Sequence, residues 1–422
     1  MYKYKLNPIY EIIPLKIKIV KEQLNVEGFA DILSINLEYS YKLSRAKNRI
    51  NDINSLDWEE VKKITNPYEF IHAFNPKSKY NDNKSVAQIK PLSRSFFKLI
   101  EIIHEFCSFL LQDLENPKHK EEISREPLVS SSELNSIVSV HIAEGPGGFI
   151  EAIRYIRKGC VKDHAFGITL VKYDKNQYKN IHVPGWQKSN NFLINNPEVY
   201  ILNGADGTGD IYKTENINFL NNKVRLISID GADIVTADGG FDFSIDYNYQ
   251  EQSSCKLIFS QIICALKCQK QNGTFICKFF DCNLYFTVEM LYLLYTLYET
   301  VYIYKPYTSR ITNSEKYIIC KNFKGINIQF LDSLFDVLEK WNKYDGYTNN
   351  HIFEKIPIDF IEKIKQINIE LIEYQIIYIN IAIDIIKSKK KNDTKWYETN
   401  IDLQIKKAKE WCKKYNIPIT CF

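Results

Sequence analysis

The sequence predicts an α/β protein with a doubly wound, mostly parallel sheet and helical extensions at both ends. Between residues 136 and 323, short β-branched runs alternate with stretches of helical periodicity. That alternation is typical of a parallel sheet covered by helices on both faces. The chain has 422 residues, of which 45% are hydrophobic and 25% charged, so it can build a large core and is not disordered as a whole.

The order of the elements divides the chain into three regions. Residues 1–85 form an N-terminal extension of mixed apolar and polar stretches that finishes in a turn-rich segment at 74–85. A helix is predicted from Ser93, because Phe96, Leu99, Ile100 and Ile103 recur at three-and-four spacing. Residues 86–325 hold this helix and the sheet, and residues 326–422 form a helical C-terminal region. The polar segment at 117–136 is predicted to be a surface loop.

The predicted strands follow one another along the central region. A first run at 136–142 leads through a glycine turn into an amphipathic helix. Later β-rich runs are AFGITL (165–170), VYILNG (199–204), RLISIDGADIVTADGG (225–240), GTFICKFF (273–280), YIYKPY (302–307) and KYIICKNF (316–323). Helices are predicted at 253–270 and 284–299. The last two strands are predicted to pair as an antiparallel hairpin at the sheet edge.

Composition and charge exclude several classes of protein. The net charge is only +4, so contact with nucleic acid would need a local basic patch. The closest cysteines, Cys264 and Cys268, have no nearby histidine, which argues against a metal site. The most apolar run, 374–386, carries Asp384 and is shorter than the ~20 residues that cross a bilayer. The N-terminus lacks the apolar core of a signal peptide, so we expect an intracellular protein.

The glycine-rich loop Ala143-Glu144-Gly145-Pro146-Gly147-Gly148-Phe149 is the most informative local signal. A glycine turn after a buried strand lets the backbone approach a nucleotide-like ligand, and the following helix N-terminus offers unpaired N–H groups. Glu144 would repel a pyrophosphate but attract a cationic ligand such as the amino group of S-adenosylmethionine. The structural alternative is an ordinary tight turn between strand and helix.

Two further glycine clusters follow later strands. The segment 204–211 contains Asp206, Asp210 and Ile211; its carboxylates could bind an adenine amino group or ribose hydroxyls, while Ile211 packs on the ring. The alternative is a surface turn. The segment 236–241 places Asp238 at the carboxyl end of a strand, where open α/β sheets have their ligand crevice.

Five motifs in order resemble the FtsJ-like (RrmJ) superfamily of RNA ribose 2′-O-methyltransferases, especially its mRNA-cap, Adrift-type branch. They are SRSFFKLIE, AEGPGGF, TADGGFD, GTFICKFF and KPYTSRITNSEKYIIC, and the resemblance covers about residues 91–323. It implies a Rossmann-like methyltransferase sheet. It also implies a catalytic tetrad, which falls here on Lys98, Asp238, Lys278 and Glu315.

The resemblance also implies a cofactor, S-adenosyl-L-methionine, and an RNA substrate, the 5′ end of capped mRNA. The implied cofactor-binding residues are Ser93, Ala143, Glu144, Gly145, Pro146, Gly147, Gly148, Phe149, Asp210, Ile211 and Asp238. Ser309 and Arg310 are candidate RNA-backbone contacts. The segment 173–193 falls where a substrate-side loop could lie. The usual acidic residue after the second strand is not evident, and Asp206 or Asp210 could replace it.

The chemistry of the tetrad is coherent by itself. A ribose 2′-hydroxyl must be oriented and deprotonated as it attacks the methyl group in line. Lys278 is the candidate that takes the proton or steers the hydroxyl. Asp238 could orient Lys278, and Glu315 could hold the lysines in position. The structural alternative for Lys98 and Glu315 is an ordinary solvated charge.

Other functions stay open at this level. The same motifs serve enzymes that methylate ribosomal or transfer RNA, and a non-catalytic subunit of an RNA-processing complex is an alternative from another class. The C-terminal region leaves room for a protein partner from a capping or transcription complex. Lys387, Lys389, Lys390 and Lys391 are a candidate RNA contact. An AT-rich codon bias is compatible with a viral protein of the host cytoplasm and the virion.

Overall fold

The protein is built on one mixed sheet of eight strands. A computed structural model describes residues 10–12, 34–74, 84–111, 136–171, 185–241, 247–343, 352–389 and 392–420. The strands are β1 (Tyr10–Ile12), β2 (Val138–Ile142), β3 (His164–Ile168), β4 (Val199–Leu202), β5 (Ala232–Ala237), β6 (Gln269–Phe279), β7 (Tyr298–Tyr304) and β8 (Lys316–Phe323). Their spatial order is β1-β7-β8-β6-β5-β2-β3-β4.

The direction in which the chain winds reverses beside β2. The chain runs from β2 outward to β3 and β4, and then returns to β5 on the other side of β2. Strands β6, β5, β2, β3 and β4 are parallel, whereas β8, β7 and β1 are antiparallel to their neighbours. The predicted doubly wound α/β sheet is therefore confirmed. Because the strand order reverses between β2 and β5, ligands are expected at the carboxyl ends of these two strands.

Helices cover both faces of the sheet and form the extensions. They are α1 (Leu37–Asn51), α2 (Ser55–Ile64), α3 (Ser95–Phe106), α4 (Gly148–Ile156), α5 (Asn190–Ile194), α6 (Thr214–Ile227), α7 (Gln250–Cys268), α8 (Tyr285–Leu297), α9 (Ile328–Lys343), α10 (Ile358–Lys387) and α11 (Thr394–Lys414). Strand β2 is buried along its whole length, including the polar residues Ser139 and His141, because helices cover both faces of the sheet. Among the described residues, none of these helices has the length and apolarity needed to cross a membrane.

Two sequence predictions about strands need correction. The run 225–240 is not one strand, because residues 225–227 complete α6 and β5 begins at Ala232. Gly231, with φ of 102°, makes the turn between them. Leu226 and Ile229 are 77% and 83% exposed, so this apolar run does not fill a core. The predicted hairpin of β7 and β8 is confirmed as antiparallel, but β8 lies inside the sheet and β1 covers the edge of β7.

The extensions pack on each other and on the core. Apolar side chains of α1 and α2, including Ile50 and Trp58, share a cluster with Ile379 and Ile383 of α10. Lys47 of α1 donates to Asp281, just beyond β6, with an Nζ to Oδ2 distance of 2.9 Å, and both side chains are buried. The N-terminal region therefore contacts the segment just beyond β6 through Lys47, and the C-terminal region contacts the same segment through Asn368, which donates to the Cys282 carbonyl oxygen.

Candidate active site

The four residues of the predicted tetrad come together at the carboxyl ends of β5 and β6. Lys98 projects from the first turn of α3, and Asp238 directly follows β5. Lys278 is the penultimate residue of β6, and Glu315 directly precedes β8. Strand β6 lies between β5 and β8, so the topology alone brings the last three residues to one edge of the sheet.

Each lysine of the tetrad has a carboxylate partner. Lys98 Nζ lies 2.7 Å from Glu315 Oε1 and donates to Oε2 at 2.8 Å. Lys278 Nζ lies 3.4 Å from Asp238 Oδ1 and donates to the Asp238 carbonyl oxygen at 2.6 Å. The four side chains are only 9–14% exposed. Charges this well buried are tolerated because they are paired and hydrogen-bonded.

Tyr317 connects the two pairs and was missed by sequence reasoning. Its hydroxyl donates to Asp238 Oδ1 at 2.7 Å, and its ring centroid lies 5.9 Å from Lys98 Nζ. Burial and the carboxylate of Asp238 raise the pKa of Tyr317 well above its usual range, so the hydroxyl stays a donor. The available signal was its position in β8, since residues 315 and 317 point to the same face of a strand.

The segment between β7 and β8 fixes Glu315. Ser309 Oγ donates to Glu315 Oε1 at 2.8 Å, while half-buried Lys305 donates to the carbonyl oxygens of Asn313 and Glu315 at 2.8 and 2.7 Å. Burial lowers the pKa of Lys305 to about 7. Lys305 is a second residue that the sequence analysis did not single out. Ser309, predicted to contact RNA, here orients a member of the tetrad.

The electrostatics of the Lys98–Glu315 pair favour the charged carboxylate. Burial by itself would raise the pKa of Glu315, but the charges of Lys98 and Lys278 and the hydrogen bond from Lys98 hold it below its usual value. Burial lowers the pKa of Lys98, and the attraction of Glu315 and Asp238 opposes that change. Two cations and two carboxylates leave the site nearly neutral, which suits a positively charged methyl donor.

The glycine loop turns sharply between β2 and α4. Ala143 and Gly147 have positive φ values of 56° and 102°, and α4 starts at Gly148 without a side-chain cap. A Cβ atom on Gly148 would lie 2.2 Å from Ser93 Oγ, so this glycine allows the segment before α3 to pack closely. Phe149 is fully buried, with its ring 5.9 Å from that of Tyr317. The loop therefore lies beside the tetrad with its amides uncapped.

Glu144 is buried, whereas its position in the glycine loop suggests a carboxylate that faces a ligand. Its carboxyl group is almost fully buried and accepts from Thr236 Oγ1 at 2.5 Å, with His141 Nδ1 at 3.1 Å. Burial raises the pKa of Glu144 well above its usual range and lowers that of His141 to about 3. Glu144 links β2 to β5 through its hydrogen bond with Thr236, and its attraction of a cationic ligand stays a prediction.

The second glycine cluster forms an ordered loop around Asn216. Asn216 accepts from the backbone N–H of Ala205 and donates to Asp206, Thr208 and the Asp210 carbonyl. Asp206 also pairs with Lys213 and accepts from Thr208, so its carboxylate is occupied by protein donors. Asp210 Oδ1 accepts from Tyr212 N at 2.9 Å, and Ile211 is buried. Of the two aspartates, Asp210 is the better candidate for a ligand contact.

Arg310 already has a protein partner. Its guanidinium makes a two-pronged contact with buried Glu69, from the segment that follows α2. Arg94 Nη2 donates to the carbonyl oxygen of Thr308 at 2.9 Å. The RNA contact of Arg310 remains a prediction, and its contact with Glu69 attaches the N-terminal region to the segment between β7 and β8.

Several predicted features lie at the margin of the described structure. Residues 75–83, 117–135 and 173–184, with Lys390 and Lys391, are outside the described residues. Lys387 and Lys389 are exposed at the end of α10. Within the described ranges, no group of three or more histidine, cysteine, aspartate or glutamate side chains is arranged to hold a metal ion.

This protein is a Rossmann-like methyltransferase, as the reversed strand order, the glycine loop and the two lysine–carboxylate pairs indicate. Residues 91–323, more than half of the chain, match the FtsJ-like methyltransferase family. The chain belongs to that family, and the resemblance predicted from the five motifs is confirmed.

Curated relatives share a common name. The chain is 35% identical over 313 residues to a human cap-specific mRNA (nucleoside-2′-O-)-methyltransferase 1, covering 73% of this chain and 33% of the relative. The mouse protein of that name is 31% identical over 334 residues, covering 78% and 36%. The zebrafish protein is 28% identical over 345 residues, covering 81% and 37%. The chain thus spans about a third of the length of these relatives.

Proposed function

We propose that this chain transfers a methyl group from S-adenosylmethionine to the ribose 2′-hydroxyl of nucleotides near the 5′ end of capped mRNA. The observation that carries the proposal is the convergence of Lys98, Asp238, Lys278 and Glu315 as two buried ion pairs beside the glycine loop. Paired, immobile charges of this kind can stabilise charge that develops in a transition state without first reorganising.

The residues around the loop fit the methyl donor. The loop is compact, because Gly147 is left-handed and Gly148 and Gly239 leave no room for a Cβ beside Ser93 and Gln261. The uncapped N-terminus of α4 offers N–H groups to a carboxylate. Asp210 and Ile211 could hold ribose hydroxyls and an adenine ring. When bound, S-adenosylmethionine supplies a methyl group on a positively charged sulfur.

The tetrad has distinct tasks in this reaction. The 2′-oxygen forms a bond to the methyl carbon while the carbon–sulfur bond breaks and its electron pair remains on sulfur, so the hydroxyl must lose one proton. Lys278, held by the Asp238 carbonyl, is placed to orient the hydroxyl, and in its neutral amine form it accepts that proton. Lys98 stabilises developing negative charge on the oxygen. Glu315 and Tyr317 keep the lysines and Asp238 in position.

The choice of substrate is supported by the relatives. Their names specify mRNA caps as the substrate and the 2′-oxygen as the acceptor, and the cap-branch-like segment KPYTSRITNSEKYIIC carries Lys305, Ser309 and Glu315 of the site. The proposal also includes RNA binding and an Adrift-type assignment. It further includes intracellular action, a viral origin and a protein partner from a capping complex.

The deciding experiment measures methyl transfer from labelled S-adenosylmethionine to short RNAs with and without a cap, followed by nuclease mapping of the modified ribose. We expect label on a 2′-oxygen within the first nucleotides of capped RNA, and none with the matched variant Lys98→Ala. Equal transfer to uncapped ribosomal or transfer RNA would contradict the cap assignment. Retained cofactor binding without transfer to any of these RNAs would favour a non-catalytic subunit.

A further inference from the structure

Glu101 is a fully buried carboxylate that the proposed reaction does not use. It lies on α3 one turn after Lys98 and is 0% exposed. Burial raises its pKa to about 7, although several donors oppose that change. A carboxylate placed here costs free energy unless its oxygens are hydrogen-bonded, so its donors indicate what it holds.

The donors to Glu101 come from two separate parts of the chain. Oε1 accepts from Tyr304 OH at 2.5 Å and from Tyr307 N at 2.7 Å. Oε2 accepts from Trp411 Nε1 at 3.0 Å and more weakly from Thr308 N at 3.4 Å. Tyr307 and Thr308 lie in the segment between β7 and β8, while Trp411 lies on α11 of the C-terminal region. The Glu101 side chain therefore joins α3, residues 304–308 and α11.

The segment held by Glu101 is the one that carries Glu315. Ser309, next to Thr308, donates to Glu315 Oε1, and Lys305 donates to the Glu315 carbonyl oxygen. Glu315 in turn pairs with Lys98, which is on the same helix as Glu101. The contacts form a closed ring from α3 through the β7–β8 segment and back to α3. A shift of that segment would displace Glu315 relative to Lys98.

Trp411 contacts this ring from outside the family domain, through its hydrogen bond to Glu101. Its side chain is 3% exposed and packs against Phe97 and Tyr415 at ring distances of 5.9 and 4.7 Å. Since Phe97 precedes Lys98, the indole contacts both the helix and the carboxylate that orient the tetrad. The C-terminal helix thus has a direct route to the site.

We propose that Glu101 is a positioning residue for the Lys98–Glu315 pair and that Trp411 of the C-terminal helix completes its anchoring. The inference rests on the proposed function, because it assigns the pair to methyl transfer. It gives the C-terminal region a role in the reaction in addition to its packing.

The test compares two substitutions on the same helix. Trp411→Phe removes the indole N–H that Glu101 accepts and keeps an aromatic ring. Tyr415→Phe removes a hydroxyl that donates to Glu105 at 2.8 Å and leaves Glu101 untouched. We expect Trp411→Phe to lower kcat about tenfold or more through misplacement of reacting groups, with the KM for RNA and the Kd for S-adenosylmethionine nearly unchanged. Tyr415→Phe should keep kcat within about twofold while lowering the melting temperature comparably.

Hydrogen–deuterium exchange separates this inference from the proposed function. Residues 305–315 should exchange faster in Trp411→Phe than in Tyr415→Phe or the unsubstituted chain, whether or not any RNA is methylated. If Trp411→Phe does not fold, Glu101→Gln provides the same comparison, because its amide places donors against the N–H groups. Unchanged exchange in 305–315, or equal kcat losses in Trp411→Phe and Tyr415→Phe, would overturn the inference.

Discussion

Lys278 is the residue on which the proposed chemistry depends most directly. Its ammonium group is held by the carbonyl and carboxylate oxygens of Asp238, and its side chain is 11% exposed. A Cβ on Gly240 would lie 3.0 Å from Lys278 Nζ, so the glycine leaves room for this ammonium. Asp238 and Gly240 therefore fix the position of this one ammonium group in the site.

Substituting Lys278→Ala should abolish methyl transfer and leave cofactor binding largely intact. The glycine loop and Asp210 follow other strands, whereas alignment of the hydroxyl and removal of its proton depend on the Lys278 side chain. The matched control is Lys270→Ala, at the other end of β6, where the lysine pairs with Asp233 and is 37% exposed. Transfer rates and calorimetric cofactor affinity check the prediction, and retained activity in Lys278→Ala would remove Lys278 from the mechanism.

At the level of elements, the loop at 203–213 depends on close backbone approach. Gly207 and Gly209 have similar left-handed φ values of 77° and 70°. A Cβ on Gly207 would meet nothing within 4 Å, whereas one on Gly209 would lie 1.9 Å from the Thr169 carbonyl oxygen. Because the two glycines share a conformation, they separate backbone strain from steric collision.

Gly207→Ala should cost about 1 kcal/mol of stability from its left-handed backbone and leave cofactor affinity almost unchanged. Gly209→Ala should cost more and weaken S-adenosylmethionine binding, since the loop must move away from the end of β3 and take Asp210 and Ile211 with it. Urea unfolding and calorimetric titration of both variants test this. Equal cofactor affinities in the two variants would show that the loop does not contact the ligand.

The sequence predicted the elements of the central domain better than their outer limits. The tetrad was predictable because each member lies in a local motif at the end of a strand or the start of a helix. Tyr317, Glu101 and Trp411 were not, since their roles arise from contacts between elements far apart in the chain. The run 225–240 was wrongly predicted as one strand for a related reason. Periodicity alone does not distinguish an exposed apolar helix end from a strand.

On the scale of the whole molecule, the extensions contact residues around the site. Lys47 of α1 contacts Asp281 just beyond β6, Glu69 pairs with Arg310, and Trp411 donates to Glu101. The five motifs indicated how much of the chain lay outside the family domain, but the sequence of an extension has no pattern that shows which core surface it covers. The division at residues 85 and 325 therefore describes sequence character and not independent packing.

The contact of Glu69 with Arg310 should make stability depend on acid pH in a specific way. Burial would raise the pKa of Glu69, but the hydrogen bond from Arg310 and the charges of Arg94 and Arg310 lower it to about 2. A carboxyl whose pKa is lower in the folded state stabilises the protein fully above its unfolded value of about 4.3, and that stabilisation is lost as pH falls toward the folded value.

Relative to the unsubstituted chain, Glu69→Gln should lose stability at neutral pH, and the difference should shrink at acid pH. The slope should approach about 1.4 kcal/mol per pH unit below the unfolded pKa of Glu69, because one proton less is bound by the folded chain. The control is Glu362→Gln, whose carboxylate is 52% exposed on α10 and should follow the unsubstituted chain. Urea unfolding between neutral pH and about pH 3.5 covers this window. A stability difference that stays constant with pH would show that the charges of Glu69 and Arg310 do not stabilise the contact between the N-terminal region and the segment between β7 and β8.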